Sequence, residues 1–246
     1  MIRFCVFSVL ICLSTSVFAK ADALQLLKKI DELYRSQGSK ALMQMQVITP
    51  NWTRTIKMDI WTKGLDYTFV RILEPRKDRG VSSLKRKNEM WNFFPKINKV
   101  IKVPPSMMMG SWMGSDFTND DLIKNSSFEK DYDYLISKET AGFYYITLTP
   151  KKNTVSLWGK IVFDVNKKSL LPSKQSYYDE KGVKVRELLF KDVQKIDGKN
   201  LPVTIELIPL TKDKVGYKTV VKYLKLKFDI KISDRIFSRT NLQKRQ

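Results

Sequence analysis

The chain has 246 residues, 43% apolar, 11% aromatic and 28% charged, a composition that can bury a sizeable core and is neither collagen-like nor disordered. Its 45 Lys and Arg against 25 Asp and Glu give a formal charge of +20, which favours anionic partners or surfaces. The complete lack of histidine excludes Ser-His-Asp and Cys-His triads, His-ligated zinc and imidazole acid-base pairs.

Residues 1–19 read as a cleavable secretory signal, with Arg3, then an apolar run, then Val17-Phe18-Ala19 before the cut. The run falls short of the roughly 18 to 20 residues of a permanent membrane helix. Cleavage removes both cysteines, Cys5 and Cys12, and a disulfide-free exported chain suits a Gram-negative periplasm. Residues 20–246 are expected to form one soluble, monomeric domain there. From Asp22 to Gln37, Leu26, Leu27, Ile30, Leu33 and Tyr34 recur at helical spacing behind an Asp22 cap. This predicts an amphipathic helix of about four turns that ends near Gly38.

After Gly38 the period changes to two. Ile56, Met58 and Ile60 alternate with polar residues over Thr53 to Lys63, as expected for a strand covered on one face. Similar runs are Ala41 to Thr49, Leu65 to Leu73, Val81 to Arg86, Glu89 to Phe94 and Lys99 to Val103. They continue through Phe143 to Thr149, Leu157 to Val165, Ser173 to Tyr178, Lys184 to Ile196, Val203 to Ile208 and Leu224 to Ile232. Turn sequences such as Asp179-Glu180-Lys181-Gly182 separate many of them, which favours antiparallel hairpins. A mainly β meander of about eleven strands is predicted, long enough that it must curl or close. Arg239 to Gln246 is polar and expected to fray.

The chemistry these residues offer is limited. Asp116, Asp120 and Asp121 cluster after a glycine, but Thr118 and Asp121 have the spacing of a helix cap, which predicts a short helix from Thr118 to Ser126. Capping explains the acids without a substrate, so no catalytic residue, metal or cofactor is assigned, and a carboxylate hydrolase around Asp116 and Asp120 ranks last. The chain also lacks glycine-rich phosphate loops of the dinucleotide-binding and Walker types. Arg76, Lys77 and Arg79, with Lys85, Arg86 and Lys87, lie near hairpin ends and are candidates for docking lipid headgroups, an anionic membrane surface or an inner-membrane transporter. Nucleic acid is not expected, because the chain reads as exported and Trp52, Trp61 and Trp158 fall singly within apolar strands. The segment Pro104 to Phe117 carries four methionines and two aromatics among prolines and glycines. Such a loop either contacts apolar ligands of variable shape or plugs the core.

The run Glu89-Met90-Trp91-Asn92-Phe93-Phe94-Pro95, followed by Lys99-Val100-Ile101 and by Ser111-Trp112-Met113-Gly114-Ser115-Asp116-Phe117 through Leu122, resembles the outer-membrane lipoprotein-sorting (LolA-like) family. That family shows a Trp-x-Tyr-x-Pro strand and a Ser-Phe-Met-Gly-Ser-Asp-Phe motif. Here Phe93 stands at the Tyr position and Trp112 at the Phe position. The resemblance implies a strongly curved, incomplete antiparallel β-barrel with helices covering its apolar concave face. It also implies a non-enzymatic carrier of lipoprotein acyl chains or other lipids. On this reading Trp91, Phe93, Met107, Met108, Met109, Trp112, Met113 and Phe117 are the candidates for lining the ligand site. The Asp22 to Gln37 helix, the Met107 to Met113 loop and the Thr118 to Ser126 helix would act as movable covers. The competing reading is a basic module that docks an anionic envelope polymer or a transporter complex.

Overall fold

Alternating apolar residues drive this chain into strands wherever one face can be buried. The computed structural model describes residues 22–34, 36–123, 128–152, 154 and 158–244; the expected signal at 1–19 lies outside them. Helix α1 (Ala23–Asp31) is capped by Asp22, whose carboxylate accepts from the Leu24 amide. The helix is shorter than its periodicity predicts: it stops at Asp31, and Leu33 and Tyr34 follow in a turn. Gly38 lies beyond the helix end, where its amide carbonyl receives the Ile230 N–H and a Cβ would stand 2.2 Å from the Ile230 carbonyl oxygen.

Six strands follow: β1 (Ser39–Ile48), β2 (Thr53–Lys63), β3 (Tyr67–Glu74), β4 (Ser82–Arg86), β5 (Glu89–Phe94) and β6 (Lys99–Lys102). A long connection then carries α2 (Asn119–Ile123) and α3 (Phe128–Asp131). Of the expected helix from Thr118 to Ser126, residues 124–126 lie outside the described ones. Seven more strands complete the sheet: β7 (Tyr132–Glu139), β8 (Phe143–Pro150), β9 (Lys160–Asn166), β10 (Pro172–Tyr178), β11 (Lys184–Ile196), β12 (Lys199–Pro209) and β13 (Lys218–Lys227). The chain continues through a 3-10 turn, Asp234–Phe237, into α4 (Arg239–Leu242).

Among the described residues, thirteen strands form one antiparallel sheet in the order β6-β5-β4-β3-β2-β1-β13-β12-β11-β10-β9-β8-β7. The count exceeds the expected eleven, and the additional edge strand β7 was not foreseen. The sheet is curved and unclosed, with β6 and β7 as its two edges. Two meanders are joined where β1 pairs with β13. At that seam the register shifts between Leu42 and Met43, so β13 carries a bulge at Leu224. One inserted residue flips the alternation. Val221 and Leu226 are therefore buried, whereas Leu224 is 40% exposed, against the expectation that Leu224 and Leu226 share a face.

The sheet buries both faces. On the inner face, β1, β2 and β3 pack Met43, Met45, Met58 and Val70 into one cluster, while β8, β9 and β11 pack Ile146, Phe163 and Leu188 against Leu26, Leu27 and Ile30 of α1. On the outer face, Phe69, Leu84, Trp91 and Phe93 pack against Phe237 and Leu242 of the C-terminal segment. Leu242 is fully buried, so Arg239 to Leu242 is a packed helix and not the fraying tail expected from its polarity.

Candidate functional site

A cavity of about 330 Å3 opens on the inner face. Ala41, Met43, Met58 and Val70 from one half of the sheet face Ile161, Phe163 and Leu188 from the other across it, which makes this face concave. Leu33 and Tyr34 close one side. The Tyr34 ring stacks on Tyr223 at 4.9 Å, and its hydroxyl donates to the Pro202 carbonyl. Burial, with the neighbouring Tyr223, pushes the Tyr34 phenol well above its ordinary value.

The connection from β6 to α3 forms the other side. Because β6 and β7 are opposite edges, this segment must cross the concave face as a strap. The Met-Gly-Ser-Asp-Phe motif fixes its centre. The Trp112 amide donates to the Phe117 carbonyl, and the Ser115 hydroxyl donates back to the Trp112 carbonyl. The turn between them places Met113 and Gly114 at φ of 54° and 73°, a left-handed pair in which glycine carries the larger angle without steric cost. Asp116 accepts from the Thr219 hydroxyl of β13 and its own amide donates to the same oxygen, while the Trp112 indole donates to Ser83 of β4. Arg54 of β2 donates to the Met113 carbonyl and pairs with Asp78.

Beyond the motif, Thr118 and Asp121 form the reciprocal cap that their spacing predicts. Asp121 also accepts both terminal nitrogens of Arg186 from β11, at 2.8 and 2.6 Å. The guanidinium lies between Trp158 and Tyr177, 4.2 and 4.1 Å from their ring centroids. Burial opposes the Arg186 charge, but the hydrogen bonds and charge of Asp121 outweigh it and hold its pKa above the ordinary value. Burial likewise pushes the Tyr177 phenol up. Thr68 lines the cavity, and its buried hydroxyl has no hydrogen-bond partner among the described residues.

The structure separates the eight predicted lining residues. Trp112 and Phe117 line the cavity. Met108 and Met113 are partly buried against the same inner cluster. Met107 and Met109 face outward, 61% and 48% exposed, because Asn119 ties the Met107 and Gly110 carbonyls to the start of α2. Trp91 and Phe93 point to the convex face, so their strand offers the inner face Met90 instead. Of the acids, Asp120 and Asp121 line the cavity, but Asp116 is turned away to Thr219. Among the described residues, no group of three acids, cysteines or histidines could hold a metal ion.

The six predicted docking cations also divide. Arg76, Lys77 and Arg79 are exposed between β3 and β4, and Arg86 and Lys87 are exposed at the far end of β4. Lys85 is buried and donates to the Leu65 carbonyl, so it is not at the surface. The sequence reading missed the methionines of β1 and β2, although their period-two spacing marked them as inward, and it missed Arg186, which only the fold brings to Asp121.

A family model described as "Uncharacterized protein" matches residues 64–244. No curated protein matches the chain. Among solved structures, the chain is similar to a DUF1329 family protein from Desulfovibrio piger ATCC 29098, at 26% identity and TM-score 0.78 over 89% of this chain and 97% of that one. It is similar to a LolA superfamily protein from Nitrosomonas europaea, at 22% identity and TM-score 0.75 over 90% of this chain and 100% of that one. It is also similar to an outer membrane lipoprotein-sorting protein domain from Vibrio parahaemolyticus, at 21% identity and TM-score 0.75 over 91% and 100%.

Proposed function

We propose that this chain, which shares the fold of a LolA superfamily protein, is a non-enzymatic periplasmic carrier whose concave cavity sequesters the acyl chain of a lipoprotein or lipid. The observation that supports this most is the 330 Å3 hollow between two apolar halves of one curved sheet, a volume within the about 300–1,000 Å3 of small-molecule sites. At about 30 Å3 per water-sized group, the hollow holds roughly eleven methylenes. At about 0.8 kcal/mol each, their transfer from water contributes up to about 9 kcal/mol before ordering costs. No bond chemistry is needed.

A carrier must also release its cargo, and α1 and the strap are the elements proposed to move. The strap is bound to the sheet by a few polar contacts, Asp116 to Thr219 and Asp121 to Arg186 among them, which can exchange with water when the cavity opens. Met43, Met45 and Met58 on the cavity floor, with Met108 and Met113 of the strap packed beside them, suit cargo of variable shape.

Gentle purification followed by mass spectrometry of organic extracts is expected to return a bound lipid. A fluorescent fatty-acid probe is expected to bind the delipidated chain. Ile60→Trp, which fills the hollow from β2, should abolish probe binding, whereas Met109→Asp on the exposed side of the strap should leave it intact. Absence of both lipid and probe binding in the wild-type chain refutes the proposal.

A further inference from the structure

A second concavity lies on the opposite, convex face, where the β4–β5 turn, β6 and α4 meet. Its cations come from three separate parts of the chain: Arg86 and Lys87 from the turn, Lys102 from β6 and Arg239 from α4. Among the described residues lining it, Glu89 is the one carboxylate, and it is already joined to Lys102. The Lys102 hydrogen bond first, and the charges of Arg239 and Arg86 further, hold Glu89 below the usual carboxylate range, as expected if these cations converge. The floor is aromatic. Trp91 lies beneath the Lys102 ammonium at 5.8 Å, and Tyr67 packs on Phe237 at 5.7 Å between centroids.

The rim is held as firmly as the floor. Leu242 seats α4 in the outer cluster, so Arg239 is presented by a packed helix. Arg86 and Glu89 are a register pair of the β4–β5 hairpin. A cationic rim over Tyr and Trp matches the profile of a bilayer surface, where phosphates meet cations and amphipathic rings sit at headgroup level.

We propose that the cleft formed by Arg86, Lys87, Lys102 and Arg239 docks the convex face on a membrane surface by binding the phosphate of an anionic phospholipid. Docking in this way leaves the concave cavity, on the other face of the sheet, free, and the proposal does not depend on what that cavity carries. A protein partner fits less well, since a stable interface buries roughly 1,200–2,000 Å2 in total and the cleft is a local feature of two hairpins and one helical turn.

The test is co-sedimentation of the full chain with phosphatidylglycerol-containing vesicles and with neutral phosphatidylcholine vesicles at about 0.1 M salt, where charges more than about 10 Å apart are screened. The wild-type chain should bind the anionic vesicles only. Arg86→Glu with Arg239→Glu should weaken that binding by more than about thirty-fold, the effect of removing two cations near an anionic surface. Lys181→Glu with Lys212→Glu, at exposed turns far along the chain with the same change in net charge, should stay within about three-fold. Lys87→Glu alone gives the same direction if the Arg239 change disturbs α4. Equal losses in both pairs would mean diffuse attraction by a +20 chain and would overturn the site. Absence of anionic-vesicle binding would overturn it as well. Displacement from vesicles by millimolar glycerol phosphate would assign the cleft to a soluble phosphate and overturn the docking role.

Discussion

Replacing Asp121 by alanine tests the strap where the structure makes it most vulnerable. The change removes both hydrogen bonds to a guanidinium whose side chain is only 7% exposed and leaves Arg186 charged between Trp158 and Tyr177. Removing one member of a buried ion pair costs about 3–5 kcal/mol, mostly because the remaining charge is left without compensation. Loss of the carboxylate that accepts from the Thr118 amide and hydroxyl adds about 1 kcal/mol. Against the 5–15 kcal/mol stability usual for a domain, this is a large fraction, readable in urea titrations followed by tryptophan fluorescence and circular dichroism. Arg186→Met together with Asp121→Ala removes the stranded charge and should recover most of the loss, leaving a coupling of several kcal/mol between the two sites. The double variant should also take up and release an apolar probe faster, since the strap has lost one of its fastenings. A cost below about 1 kcal/mol for Asp121→Ala alone would mean that water reaches Arg186 freely, and the strap would not be latched there.

Three other outcomes follow from the same packing. Leu242→Ala should destabilise the chain by about 2–5 kcal/mol, measured by urea unfolding, because Leu242 is fully buried beneath the sheet; an effect near zero would mean that α4 detaches in solution. Thr68→Val should raise stability by about 1 kcal/mol, since it removes a buried hydroxyl that makes no hydrogen bond, and a loss of similar size would reveal a partner. Tyr34 and Tyr177 retain their protons in the fold above pH 10, the ordinary phenol value. Their contribution is fully present below that pH and is lost as pH rises toward the folded values, at about 1.4 kcal/mol per pH unit for each phenol. Thermal melts should therefore fall steeply above pH 10, and Tyr34→Phe should flatten the fall; identical slopes would refute the assignment.

The strands were legible where runs of β-forming residues are bounded by turn sequences. Thr53–Lys63, Glu89–Phe94 and Lys184–Ile196 have the bounds that such runs predict. Strand β7 was missed because Leu135 stands on its open side, 57% exposed, and breaks the alternation of Tyr132, Tyr134 and Ile136. The parity of β5 was visible, but not its direction. Met90 and the Trp91–Phe93 pair both look like core residues, because the C-terminal segment gives the convex face an apolar layer of its own. A bulge such as that at Leu224 leaves no local signal, since it is set by the partner strand. Within the site, the run Ser111 to Phe117 drew attention to Trp112 and Phe117, and both side chains lie at the cavity. The outward turn of Met107 and Met109 depends on amide contacts from Asn119 that sequence spacing does not reveal.

The seam between β1 and β13 has a consequence for biosynthesis. Lys40 faces Lys227 across it, and Ile48 faces Lys218, so the strand nearest the start of the sheet has to wait for the last one. A polypeptide delivered from its N-terminus can zip the first six strands by local hairpins, yet one flank of β1 stays unpaired until almost the whole chain has arrived. Distant pairings of this kind slow folding and leave sticky edges exposed. Until the last strand arrives, the greasy side of the first meander lacks its neighbour, and that is the surface a holding chaperone would cover.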